Sequence, residues 1–284
     1  MRVAALYIHP VKAMRAVPVD EAVVTPTGLR DDRRWMVVDE RGDFLTQREE
    51  PALARISARV SSPSRNLELS APGRPDMAID APAPGAPRRV RVWGDECEAI
   101  SAGTEVAAWL SEVLGRRCEL VYLPAGAERV VDPEYATDAR VGFADGFPFL
   151  IATTASLADV NARLERAGRG PAIDMRRFRP NIVVEGSAPF EEDAWRTIAC
   201  GDVRFSLVKP CGRCVVITVD PDTAERGKEP LATMARYRTR NREVYFGQNA
   251  VLAPGSATGR LRVGDPVAVI EAAPAGAVTP SVAK

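Results

Sequence analysis

The sequence predicts a β-rich α+β protein, built around a closed or nearly closed β-barrel with helices decorating it. Three observations carry this reading. Short runs rich in β-branched residues recur between turn signals along most of the chain. Only three segments carry helical signals. Strands and helices do not alternate regularly, which argues against a doubly wound sheet.

The first third supplies strand-like runs at Arg2 to Ile8, Glu21 to Thr25 and Trp35 to Asp39. The last turns through Glu40-Arg41-Gly42-Asp43 into Phe44-Leu45 and reads as a hairpin. From Ser61 to Arg89 Pro, Ser, Gly and Ala dominate, and the segment reads as an excursion or long loop. Strand-like Val90 to Trp93 follows. Thr104 to Leu114 is a helix, because Val106, Trp109, Leu110, Val113 and Leu114 fall at i, i+3, i+4, i+7 and i+8 and Gly115 supplies a stop. Glu119 to Leu123 is a strand. The polar stretch from Ala125 to Arg140 reads as the crossing between two domains, 1–124 and 125–271, and the Ala/Pro/Val-rich tail 272–284 is expected to fray.

In the second half the apolar run Phe147 to Ile151 leads to a helix whose start is signalled by Ser156 with Asp159 three residues on, and Leu157, Val160 and Leu164 give it an apolar stripe. Strands are expected at Asn181 to Val184, Val203 to Val208, Cys214 to Val219, Glu243 to Phe246 and Val267 to Ile270. A short helix after Pro230 interrupts them, with Leu231, Met234 and Ala235 on one side.

Lys plus Arg and Asp plus Glu both number 38, so the overall field favours neither nucleic acid nor an anionic membrane, and any anion site must be local. No apolar run approaches the roughly 20 residues that span a bilayer, and the N-terminus lacks signal-peptide character. The expected compartment is cytoplasmic. Five cysteines, Cys97, Cys118, Cys200, Cys211 and Cys214, make a poor disulfide framework and suit free thiols. Neither G-x-G-x-x-G nor G-x-x-x-x-G-K-[ST] occurs, and a lone His9 makes a His-dependent hydrolase unattractive.

The strongest local feature is Lys209-Pro210-Cys211-Gly212-Arg213-Cys214. A C-x-x-C at a strand edge is compatible with a zinc half-site, a dithiol redox pair, one thiolate ligand beside a structural cysteine, or two buried packing residues. Zinc lacks the remaining ligands, and a dithiol pair belongs at a helix N-terminus, whereas Cys214 opens an apolar β run. Lys209, Arg213 and Gly212 favour a single soft thiolate ligand. Lys12, Arg33-Arg34 and the group Arg176, Arg177 and Arg179 lie at strand edges; such cations are ordinarily solvated surface, but they suit one anion if they converge.

The order Tyr-Ile-His-Pro-Val-Lys (7 to 12), Gly-Leu-Arg-Asp-Asp-Arg-Arg-Trp (28 to 35), Phe-Leu-Thr-Gln-Arg (44 to 48), Ala-Ser-Leu-Ala-Asp-Val-Asn (155 to 161), Phe-Arg-Pro-Asn (178 to 181), Cys-Gly-Arg-Cys-Val-Val-Ile-Thr-Val-Asp-Pro-Asp-Thr (211 to 223), Lys-Glu-Pro-Leu (228 to 231) and Phe-Gly-Gln-Asn (246 to 249) resembles the MOSC family. That group is named for the C-terminal domain of molybdenum cofactor sulfurase. It includes the amidoxime-reducing components and bacterial reductases of N-hydroxylated bases. The resemblance covers about residues 1 to 270. It implies a MOSC β-barrel with decorating helices packed on an N-terminal β-barrel-like domain. It also implies a molybdenum cofactor (molybdopterin) held by Cys214 as metal ligand, with Lys12, Arg33, Arg179 and Asn181 holding the pterin and its phosphate and Asp145, Ser156 and Arg213 near the pocket. The implied activity is reduction of N-hydroxylated compounds such as amidoximes and hydroxylamino purines. No C-x4-C-x2-C spacing is present. Electrons are therefore expected from a separate donor protein: a ferredoxin, a cytochrome b5-like protein or a flavin reductase. The rival readings are a cofactor or sulfur carrier without reductase activity, and a non-catalytic scaffold.

Overall fold

The computed structural model describes residues 1–61, 66–80 and 86–273. It is β-rich α+β, as the sequence predicts, with three α-helices among the described residues: α1 (Thr104–Leu114), α2 (Thr154–Arg166) and α3 (Leu231–Met234).

A nine-stranded sheet dominates. Its order is Val17–Val19, Arg2–Ile8, Ile182–Glu185, Phe149–Thr153, Glu243–Leu252, Val203–Arg213, Trp195–Cys200 and Val267–Ala272, with Thr239–Arg240 paired beside Glu243–Leu252. Phe149–Thr153 and Ile182–Glu185 run parallel, and α2 lies on the crossover that parallel neighbours need. Two register shifts, at Leu207/Lys209 and Pro210/Gly212, break the ladder between Val203–Arg213 and Glu243–Leu252. They give Pro210, which has no N–H to donate, a place at an irregularity and re-aim the cysteine segment that follows. Both strands of the first twenty residues thus sit in a sheet otherwise made from residues beyond 148, and Arg260–Arg262 pairs back onto Glu21–Thr25.

A second layer has Trp35–Val38, Glu119–Tyr122, Asp95–Ser101 and Pro87–Val92 in that order. α1 packs beside it through Val106, Trp109, Leu110 and Leu114, and Gly115 ends the helix in the left-handed region at φ 67°. Full burial of each such side chain contributes about 1.5–3 kcal/mol.

Four sequence expectations need correction. The segment from Ser61 to Arg89 is not simply a loop: Leu67–Ser70 and Met77–Ile79 form a three-stranded sheet with Ser57–Val60, and Leu67, Leu69 and Ile79 are buried among the residues around α1. Its residues 62–65 and 81–85 lie outside the described residues, as does the predicted tail beyond Ala273. Helix α2 begins earlier than Ser156, because Thr153 caps it by accepting from the Ser156 N–H at 3.2 Å. The expected strand from Cys214 to Val219 is instead a 3-10 turn, Val215–Thr218. Thr218 Oγ1 donates to the Val215 carbonyl at 2.7 Å, and Ile217 inserts beside Met234 and Phe178. Tertiary burial of one residue per turn overrides the β preference of Val-Val-Ile-Thr. The sequence also predicts that the Asp220-Pro221-Asp222 turn ends that strand, because proline cannot donate to a sheet ladder, but the turn follows the 3-10 turn instead.

Candidate functional site

A cleft opens where the two layers meet, with an empty volume of about 940 Å³ counted out to solvent. The first third contributes Lys12, Arg33, the Thr46–Arg48 loop and Trp93; the second half contributes Ala144 to Phe147, Arg177 to Arg179, Asn181, Cys211 to Cys214 and Asn249. Six of the lining residues are cations, Lys12, Arg33, Arg48, Arg177, Arg179 and Arg213, against one carboxylate, Asp145. In a chain whose formal net charge is zero this is the local concentration of positive charge that an anionic ligand requires.

Cys214 stands at the N-terminus of the 3-10 turn with extended backbone, half-buried in the cleft wall. Arg48 donates from Nη2 to its sulfur at 3.3 Å. Cys211 lines the same cleft, but burial pushes its thiol up, which keeps it protonated. Among the described residues no three of His, Cys, Asp and Glu converge as a metal cage. A metal here would have to bring most of its own ligands.

The backbone of Arg33 is held at φ 46°, and its side chain bonds to Asp32 Oδ2 at 2.6 Å, Asn181 Oδ1 at 3.2 Å and the Arg179 carbonyl at 3.2 Å. Burial pushes the Asp32 carboxyl up, but Arg33 and His9 overrule that and hold it at about 2. Arg179, itself at φ 55°, donates to the Met14 carbonyl at 2.7 Å. Burial, then the neighbouring Arg33, push its guanidinium down to about 9 against the opposing pull of Asp32 and Asp145. Lys12 is 7% exposed and bonds the Phe143 carbonyl at 2.8 Å and Asp145 Oδ1 at 2.5 Å. Burial lowers its ammonium against the opposing pull of Asp145. Asp145 is open at the rim and also accepts from Trp93 Nε1 at 3.1 Å.

Of the sequence-predicted site residues, Lys12, Arg33, Asp145, Arg179, Asn181, Arg213 and Cys214 line this cleft. Ser156 does not. It is wholly buried at the start of α2, bonded to Glu192 Oε1 at 2.7 Å and to the Phe190 N–H at 2.7 Å, because it serves the helix terminus rather than a ligand. Arg213 lines the cleft but spends its guanidinium on the carbonyls of Phe246 and Phe178. Beside it Gly247, at φ 73°, allows close approach of the backbone, since a Cβ there would stand 2.7 Å from the Ile151 carbonyl. Lys209 lies over the Tyr135 ring at 4.2 Å. The cation at the Cys214 sulfur is thus Arg48 rather than either basic neighbour in sequence. Arg176 is paired with Asp174 and Asp222, and Arg177 with Asp220, so the arginine cluster offers mainly Arg179. Arg34 turns away to Glu128. His9 is fully buried outside the cleft lining, and burial, then Arg33 and Arg179, keep its ring neutral.

Arg48 and Trp93 are among the lining residues that the sequence does not single out. Arg48 only ends the Phe-Leu-Thr-Gln-Arg motif, and Trp93, 45% exposed, only ends a strand-like run. A large aromatic immediately before Gly94 in a tight turn is the available signal.

One soft sulfur beside several cations without a protein cage suits a cofactor that carries its own sulfur donors and a phosphate. Arg179 fits the anionic part in particular, since among the described residues its side-chain hydrogen-bond partner is a carbonyl rather than a carboxylate.

The chain is similar to known proteins over most of its length. The MOSC N-terminal beta barrel domain matches residues 1–117 and the MOSC domain matches residues 138–268. Human mitochondrial amidoxime-reducing component 1 is 38% identical over 287 residues, covering 93% of this chain and 82% of that protein. Human mitochondrial amidoxime reducing component 2 is 36% identical over 286 residues, with the same coverage of 93% and 82%. The molybdenum cofactor sulfurase of Oryza sativa subsp. japonica is 30% identical over 259 residues, covering 85% of this chain but 31% of that protein.

Proposed function

The chain belongs to the MOSC family, and from that premise and the cleft chemistry we propose that it is a molybdenum-cofactor-dependent reductase of N-hydroxylated compounds. Its substrates on this reading are amidoximes and hydroxylamino purines, and its electrons come from a separate donor protein. The observation that carries the proposal is the Cys214 sulfur at a cleft lined by six cations and one carboxylate.

Cys214 would be the protein's ligand to the metal, and Lys12, Arg33 and Arg179 would hold the anionic end of the cofactor. When bound, the cofactor supplies a centre able to exchange two electrons with the substrate. Asn181 and Asp145 act on the cations, Asn181 fixing Arg33 and Asp145 fixing Lys12. Arg213 shapes the wall by tying Phe178 to Phe246, whose rings stack at 3.8 Å. We divide the chain into an N-terminal domain, 1–124, and a MOSC domain, 125–271. No described helix is long and apolar enough to cross a membrane.

The test is elemental analysis for molybdenum on protein from a cofactor-competent host, beside Cys214→Ala, followed by assay of an aryl amidoxime with a chemically reduced dye as electron source. Near-stoichiometric metal that disappears in the variant, together with amidine formation, is the expected result. Metal without any reduction of N-hydroxylated compounds would favour a cofactor or sulfur carrier, the reading to which the likeness to a sulfurase points. No metal in either protein would overturn the proposal.

A further inference from the structure

The Arg48 side chain is held by two groups that are not carboxylates. Its Nη2 donates to the Cys214 sulfur, and its guanidinium lies over the Trp93 ring, 4.6 Å from the centroid. Its loop is clamped: the Arg48 N–H donates to Thr46 Oγ1 at 2.9 Å, Gln47 Nε2 donates to the Ala13 carbonyl at 2.6 Å, and Arg226 Nη2 donates to the Arg48 carbonyl at 2.6 Å. The last bond ties the loop to the chain that leads away from Cys214.

Trp93 is placed with equal care. It takes the first central position of a two-residue turn between Pro87–Val92 and Asp95–Ser101, at φ 57°, where glycine is the ordinary choice and an indole is sterically disfavoured. Its Nε1 donates to Asp145, and the Phe44 ring packs against it at 4.9 Å and 68°. A bulky residue kept in a strained turn, half-exposed, with its ring beneath a guanidinium, has a use for that ring.

We propose that Arg48 is a positioning residue for Cys214, turning the sulfur into the cleft and setting a permanent positive charge beside it, and that the Trp93 ring keeps the guanidinium in place. This rests on Cys214 being the protein's ligand to the cofactor. Hydrogen bonds to a metal-bound sulfur orient it and tune the centre, and their loss typically weakens metal retention tenfold or more.

The first test needs no cofactor. Alkylation of Cys214 by iodoacetate and by iodoacetamide is followed by peptide mass spectrometry in wild-type protein, Arg48→Gln, Arg48→Lys, Trp93→Leu and Arg179→Gln. The ratio of the two rates cancels the thiolate fraction and reads the charge felt by the incoming reagent. It is expected to fall about fivefold in Arg48→Gln, the effect of a nearby charge in a part-solvated site. It recovers in Arg48→Lys, falls less in Trp93→Leu, and changes less than twofold in Arg179→Gln. An unchanged ratio in Arg48→Gln, or an equal fall in Arg179→Gln, overturns the proposal. Should Arg48→Gln fail to fold, an unchanged ratio in Trp93→Leu does the same. The second readout is molybdenum retained after gel filtration, expected to drop about tenfold in Arg48→Gln. If wild-type protein takes up no molybdenum the reductase reading fails, whereas the alkylation ratio still decides the place of Arg48.

Discussion

The Arg33 guanidinium donates to Asn181 Oδ1 at 3.2 Å, joining residues 148 positions apart. The same oxygen accepts from the Leu150 N–H at 3.2 Å, while Asn181 Nδ2 donates to the Tyr7 carbonyl at 3.3 Å. The Asn181 backbone also pairs with Leu150 and with Tyr7. One side chain therefore splints the ends of Arg2–Ile8 and Phe149–Thr153 and aims an arginine of the cleft.

Asn181→Ala should accordingly cost stability as well as cofactor. It leaves the buried Leu150 N–H without this acceptor and frees Arg33, an expected loss of about 2–3 kcal/mol. Denaturant unfolding of the variant measures it, and an unchanged midpoint would show that the splint is redundant.

The two cysteines of the motif should behave differently. Burial raises the Cys211 thiol, whereas Cys214 meets Arg48 at the cleft. Cys211→Ser is expected to keep molybdenum within about twofold of wild type, while Cys214→Ser loses it. Equal loss from both would make Cys211 a ligand or an essential support.

Much of this arrangement is legible in the amino-acid sequence. Ordered motifs point to Lys12, Arg33, Arg179, Asn181 and Cys214, and a single apolar face marks α1. Which cation faces the sulfur is not legible. Proximity in sequence points to Lys209 and Arg213, yet the bulges in their strand send one to an aromatic ring and the other to backbone carbonyls. Arg48 arrives from 166 residues away, a pairing no local pattern encodes. The strand expected after Cys214 fails for a related reason, since the burial of Ile217 beside α3 is a long-range term.

Glu192 gives the fold a pH dependence. Its carboxyl is fully buried, and burial raises it to about 7 from an ordinary 4.5, although Ser156 and Thr153 donate to it. The folded chain therefore holds this proton more tightly than the unfolded chain. The contribution to stability is fully present below about pH 4.5 and is lost as pH rises to about 7. Glu192→Gln should be more stable than wild type at pH 8 by on the order of 3 kcal/mol, with the advantage shrinking toward pH 5. Taking the difference between the two proteins removes other titrating groups, such as buried His9. A difference that does not change with pH would refute the assignment.

Ser156 and Arg179 separate fold from cofactor with opposite signs. Ser156→Ala removes the acceptor of the Phe190 N–H and a donor to Glu192, so it should destabilise the protein by about 1–3 kcal/mol. Because Ser156 lies outside the cleft lining, molybdenum per folded molecule should not change. Arg179→Gln removes a cation whose charge is costly in the folded protein, as its lowering to about 9 records, so thermal stability without cofactor should hold or rise. On the proposed reading, in which Arg179 holds the anionic end of the cofactor, molybdenum retention should fall about tenfold or more in the same variant. Melting curves and metal analysis on both variants decide the matter: metal loss in Ser156→Ala at normal stability would return that serine to the site, and full retention in Arg179→Gln would remove the arginine from it.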